Sequence, residues 1–145
     1  MPSFPRLLSP DPARAAQWYQ DVLGFANVYS MADGRGGMLF SHLRWALFAD
    51  LLIVREITLF PSPTEGIVLT FGASGPEELS ALADRAAGWV TSGPAPTAWN
   101  TTEVQVRDLD GYRLTFTCAQ ADVMQPGGET FEEVMQRLRS DSGGT

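Results

Sequence analysis

The sequence has a single cysteine, Cys118, and a single histidine, His42. One cysteine excludes an internal disulfide and any thiolate cluster for zinc. Basic residues are scarce too: ten Lys plus Arg stand against 17 Asp plus Glu, a formal charge of −7. Nucleic acid and anionic membrane both reward clustered positive charge, so neither is expected as a partner. No stretch interleaves basic and aromatic residues as single-stranded nucleic acid binding requires. The acidity favours a cationic partner by long-range attraction, and it also serves plain solubility. No run of 18 apolar residues occurs, and no apolar run follows a basic patch at the N-terminus. Both absences argue against a membrane span or an export signal and make a cytoplasmic protein the expectation.

What is present is enough apolar material for a core, 44% of 145 residues, which fits one domain. FPRLL (4–8) reads as a first strand. Asp11 can cap the following helix, Pro12 suits its first turn, and Ala15, Trp18, Tyr19, Val22 and Leu23 form one stripe before Gly24 stops it. FANVY (25–29), MLFSHL (38–43) and LLIV (51–54) read as strands, with RWALFAD (44–50) open between strand, edge crossing and helical turn. IVLTF (67–71) begins the same order again. Ser74 and Glu77 have capping-box spacing, and Leu79, Leu82, Ala83 and Ala86 line a helix that ends at Gly88. WVTS, a rigid GPAPTAWN loop (93–100), TEVQVR (102–107), the DLDG turn and YRLTFT (112–117) follow. Each half is strand, helix, then two or three strands, which suggests a duplicated module. The single domain is expected over 1–120, with modules about 4–60 and 66–118. In the polar extension 121–145, Thr130 with Glu133 and the apolar Phe131, Val134, Met135 and Leu138 predict a short helix over about 130–139.

Two stretches, SPDPARAAQWYQDVLGF (9–25) and VRDLDGYRLTF (106–116), resemble the vicinal oxygen chelate proteins, which include glyoxalase I, extradiol dioxygenases and bleomycin resistance proteins. The resemblance covers about residues 4–118, and in character it is closest to the metal-free, bleomycin resistance-like members. It implies an α+β fold: two βαβββ modules curling around a shared cleft, here followed by the short C-terminal helix. It also implies a homodimer. In the metal-dependent members a ligand sits on the first strand of each module and a glutamate on the last strand, four residues after the glycine of the DG turn. Carried onto this chain, that last position is Thr115, and the first falls on or near Phe4. FPRLL and IVLTF offer no histidine, aspartate or glutamate in any register. A divalent cation needs several N or O donors converging at about 2.0 to 2.6 Å. Neither a metal nor another cofactor is therefore expected.

No catalytic residues are assigned; the candidates are ligand-binding. Trp99 follows two loop prolines and would present a stiffened stacking surface to a flat ring or a cation. The resemblance also places it among the cleft residues of bleomycin resistance proteins. His42, Trp45 and Phe48 stand close together in SHLRWALFAD; if the segment is extended, Trp45 and Phe48 take opposite faces. Phe40 and Tyr112 complete the set, with Tyr29 beside them, although strand aromatics are also ordinary core. His42 reads equally as a strand residue with one nitrogen in water. Glu56 and Glu103 have no local spacing that would make a site, Cys118 reads as a core thiol, and GRGG (34–37) lacks the lysine of a phosphate loop. The expected function is a metal-free protein that sequesters a planar or cationic small molecule, an antibiotic of bleomycin type among the options, in an aromatic-lined cleft. The alternative is a glyoxalase- or dioxygenase-like enzyme with His42 as base and Arg44 or Arg113 holding an anionic group.

Overall fold

Among the described residues, eleven elements run in the order that the duplicated pattern predicts. The computed structural model describes residues 4–57 and 67–120, together with Glu133 and Gln136. The first module is β1 (Arg6–Ser9), α1 (Pro12–Trp18) continued by a π-helical turn (Tyr19–Leu23), β2 (Ala26–Ala32), β3 (Met38–Ala46) and β4 (Ala49–Arg55). The second is β5 (Val68–Gly72), α2 (Pro76–Arg85), β6 (Val90–Pro96), β7 (Thr101–Arg107) and β8 (Arg113–Ala119). Each forms a four-stranded sheet, in the orders β1-β4-β3-β2 and β5-β8-β7-β6. In both, the first strand lies parallel to the last while the remaining neighbours are antiparallel. The chain thus consists of two tandem βαβββ modules, each a sheet packed with a helix.

The local signals explain most of the boundaries. Asp11 accepts the Arg14 N–H at 3.0 Å with Pro12 in the first turn, and Gly24 closes the helix at φ 83°, where an L side chain would be strained. The 44–50 stretch resolves as strand, tight turn, strand: β3 continues through Ala46, Leu47 and Phe48 turn, and β4 starts at Ala49. Two details differ from expectation. Ser74 does not cap α2; Gly75 holds the cap position, and the Glu78 carboxylate instead accepts the Ser74 N–H. The GPAP stretch is not loop but part of β6, a sheet-edge strand that tolerates proline because one side of it needs no ladder donors. Thr97–Asn100 alone makes the turn. Of the predicted C-terminal helix, Glu133 and Gln136 are helical, and the other positions lie outside the described residues, as does the PSPTEG loop.

Alternation sends one face of each sheet inward. Leu43, Leu51 and Ile53 of the first sheet and Val104, Val106, Leu114 and Phe116 of the second are at most 1% exposed, against Tyr19, Leu23, Leu79 and Leu82. Rings join the modules: Phe25 meets Phe71 edge-on at 5.3 Å, and Trp45 lies 5.0 Å from Phe116. The first strand of each module is a sheet edge, and an aromatic side chain of the other module satisfies it. The Tyr112 hydroxyl accepts the Leu8 N–H at 3.1 Å and donates to the Leu8 carbonyl at 2.8 Å. Trp45 Nε1 donates to the Gly72 carbonyl of β5 at 2.7 Å. A third tie is buried: Tyr19 donates to Asp108 Oδ2 at 2.6 Å, while Asp108 Oδ1 accepts the N–H groups of Asp110 and Tyr112. These directional bonds set how the two apolar faces meet, which burial alone would leave free to slide.

Candidate functional site

The same alternation that fills the core leaves two sheet faces turned away from it. On the first sheet, β3 presents Phe40, His42 and Arg44, which pair in register with Val54, Leu52 and Asp50 of β4. Tyr29 of β2 stands opposite His42, and its ring lies 5.9 Å from that of Phe40. The Phe4 ring stacks on His42 at 6.4 Å. Tyr29 is 54% and Phe4 39% exposed, so these rings meet each other rather than the core. This face is an aromatic-lined cleft suited to a small planar ligand.

One charged cluster sits inside it. Asp50 accepts Arg44 Nε at 2.6 Å and Arg44 Nη2 at 2.8 Å, and His42 Nε2 lies 3.0 Å from its Oδ2. The bidentate Arg44 guanidinium, aided by His42 and opposed by burial, holds the Asp50 carboxyl down at about 2. A carboxylate only accepts, so Nε2 carries the proton in this contact, and Nδ1 of a neutral ring keeps its lone pair. Asp50 therefore fixes both the tautomer and the orientation of His42.

The second sheet presents a different surface. Thr115 lies on β8 between Thr70 of β5 and Gln105 of β7 and is 4% exposed. Beside it is a cavity of about 350 Å³ lined by Val68, Thr91, Gln105, Arg107, Arg113 and Thr115, among others. Four residues along β7 from Arg107, Glu103 shares the same face, and its Oε1 accepts Trp99 Nε1 and the Thr101 hydroxyl, each at 3.2 Å. Trp99 itself is 60% exposed on the short turn, which the paired Thr97 and Thr101 hydroxyls close at 2.8 Å.

The six candidate residues thus fall into separate places. Phe40 and His42 share the first-sheet face. Trp45 points the other way, half-buried against Phe25 and Phe116, and ties β5. Phe48 stands at the hairpin turn, 76% exposed, with φ 63°. Tyr112 is occupied with the β1 backbone. Trp99 marks one end of the second sheet. Sequence reading did not single out Asp50, and it named Phe4 only as the position where the resemblance carries a metal ligand. Period-two alternation could have placed Asp50 beside Arg44, but the register shift between Arg44 and Ala46 breaks a simple count back from the turn.

The described residues at the positions where the resemblance carries ligands do not fit a divalent metal. Thr115 and Phe4 stand where the resemblance carries ligands, and the outward positions of β5 are Val68, Thr70 and Gly72. Among the described residues, no three His, Cys, Asp or Glu side chains gather into a donor set. Nor is any described helix long and apolar enough to cross a membrane.

Solved structures share this architecture. TioX from Micromonospora sp. ML1 aligns with TM-score 0.63 at 21% identity, over 80% of this chain and 97% of that one. A glyoxylase/bleomycin resistance protein/dioxygenase domain from Frankia sp. EAN1pec gives 0.64 at 20%, over 83% and 93%. A glyoxalase/bleomycin resistance protein/dioxygenase from Nocardioides gives 0.61 at 18%, over 88% and 89%. No protein-family profile matches the sequence, and no curated protein matches it. The chain has the fold of the glyoxalase, bleomycin resistance protein and dioxygenase superfamily.

Proposed function

We propose that this chain is a non-enzymatic binding protein that sequesters a planar small molecule, and that it works as a homodimer. The observation that carries the reading is the set of exposed rings, Phe4, Tyr29 and Trp99, with the half-buried Phe40 beside Tyr29, on faces that the protein's own core does not use. Trp99 supports it further: its edge is fixed by Glu103, so little side-chain freedom is lost when a ring stacks on it. A carboxylate at the indole edge, beside the open ring face, also suits a cation, which brings a cationic, bleomycin-type drug within the reading. Exposed apolar side chains on β2, Val28, Tyr29 and Met31, favour coverage by a second copy.

The test is titration with planar and cationic natural products, bleomycin included, read by tryptophan fluorescence in the parent and in Trp99→Phe. Saturable, micromolar binding to one compound, with its quench reduced in the variant, is the expected result. A panel that leaves the fluorescence unchanged removes the proposal. For the dimer, light scattering should give twice 15.8 kDa, and a single species at the monomer mass at micromolar concentration refutes it.

A second reading has one specific observation behind it. A histidine oriented by a carboxylate next to an arginine is the arrangement of a general base with an anion holder. Turnover of a small metabolite lost in His42→Gln, with binding kept, would favour that reading over sequestration.

A further inference from the structure

The first-sheet face that the core does not use holds one polar atom with a fixed direction and an open bonding position. The Asp50 carboxylate has donors on both oxygens: Oδ1 takes Arg44 Nε at 2.6 Å, and Oδ2 takes Arg44 Nη2 at 2.8 Å and His42 Nε2 at 3.0 Å. With Nε2 donating, the neutral His42 ring presents Nδ1 as an acceptor, and among the described residues Nδ1 has no hydrogen-bond partner. Rings and aliphatic carbon surround it. Phe4 stacks on His42 at 6.4 Å, Tyr29 and Leu52 flank it in register on β2 and β4, and Phe40 shares its side of β3. Phe40 and His42 are two residues apart, roughly 7 Å at strand rise, which is the length of a fused two-ring system. Of the charges on these strands that share the face, Arg44 and Asp50 cancel, and Arg6 of β1, in register with Leu52, adds a positive one. Acidic though the chain is, this face disfavours a cation.

We propose that this face binds a neutral, planar molecule carrying an O–H or N–H donor, with its rings among Phe4, Tyr29 and Phe40 and its donor on His42 Nδ1. The inference rests on the binding reading above and deepens it by naming the chemical class of the ligand. Water can meet Nδ1 while the face is open. A flat ring lying on the face displaces that water, and the ligand must then replace the bond or leave the acceptor covered and unpaired. Asp50 makes the selection one-sided: while its carboxylate holds the proton on Nε2, the neutral ring offers the ligand an acceptor and no donor. The Tyr29 hydroxyl can rotate to donate or accept, so it does not discriminate. Trp99 and Glu103, the pair suited to a cation, lie on the other sheet and take no part.

The experiment titrates 2-naphthol and its methyl ether, 2-methoxynaphthalene, which has the same rings and an oxygen that only accepts. Binding is read by the backbone amide signals of Phe40 and Leu52 in NMR, and the donor contact by the imidazole nitrogen signals of His42, the chain's one histidine. The parent is compared with His42→Phe, which keeps a flat ring without a lone pair. A second variant, His42→Asn, has a side-chain carbonyl that still accepts and covers the case in which His42→Phe folds poorly. The expected result is about tenfold tighter binding of the naphthol than of the ether, with the Nδ1 signal moving more than that of Nε2. That preference should vanish in His42→Phe and survive in part in His42→Asn. Equal binding of the two compounds, an Nδ1 signal that the naphthol leaves unmoved, or a preference that outlives His42→Phe overturns the donor assignment and leaves the sequestration proposal standing. Phe40 and Leu52 signals that follow neither compound also overturn it, including the case in which they shift with protein concentration because a second copy covers the face. The fluorescence titration, which reads Trp99, then judges sequestration separately.

Discussion

Tyr19→Phe should destabilise the protein more at pH 8 than at pH 5. Tyr19 is 1% exposed, and its hydroxyl donates to Asp108 at 2.6 Å. Burial pushes the Asp108 carboxyl up from its ordinary 3.8 to about 6, against the opposing pull of the Tyr19 and backbone hydrogen bonds. Burial, with the nearby Asp108 charge adding, likewise pushes the Tyr19 phenol well above its usual range, so it stays a donor throughout. A folded-state value raised above the unfolded one means that the stability linked to Asp108 is fully present below about 4 and is lost as pH rises through about 6. The difference corresponds to roughly 3 kcal/mol between the two protonation states. At pH 8 the substitution removes a hydrogen bond to a buried carboxylate, worth about 1.5 to 3 kcal/mol; at pH 5 it removes a mostly neutral one, worth about 0.5 to 1.5. Urea unfolding of parent and variant at the two pH values measures the difference, expected at about 1 kcal/mol or more. Asp108→Asn should flatten it. Equal losses at both pH values, or a larger loss at pH 5, would refute the reasoning.

Trp99→Ala should change stability by no more than about 0.5 kcal/mol, because the ring is 60% exposed, while weakening ligand binding by about 1 to 3 kcal/mol in calorimetry. Thr117→Val should be neutral or stabilising in thermal unfolding, since the Thr117 hydroxyl is buried without a hydrogen-bond partner among the described residues; a loss above about 1 kcal/mol contradicts this. Gly93→Ala should cost at least about 2 kcal/mol, because φ is 84° there and a Cβ would run into the Glu103 carbonyl oxygen. Phe48→Gly should hold or raise the unfolding midpoint, up to about 1 kcal/mol, because Phe48 is exposed at φ 63° on a tight turn; a clear drop would mean that its ring has contacts worth more than that backbone strain.

Much of the fold was legible along the chain because it is written in local terms. The Asp11-Pro12 start and Gly24 stop of α1, the DLDG turn and the period-two strands each follow from backbone sterics and capping within a few residues. The identity of β6 was not: prolines read as loop until its place at a sheet edge, a non-local fact, makes them tolerable in a strand. The site divided in the same way. Residue types marked Trp99, Phe40 and His42 as candidates, yet only the packing of the two modules could turn Trp45 inward and engage Tyr112 with β1. The pairing of Arg107 with Arg113 and of Asp50 with His42 and Arg44 depends on register across strands. Sequence by itself determined most of the helices, turns and strands, because those depend on neighbours in the chain. Which side chains share a face of the cleft was decided by tertiary structure, because strand register and a one-residue bulge lie outside any local window.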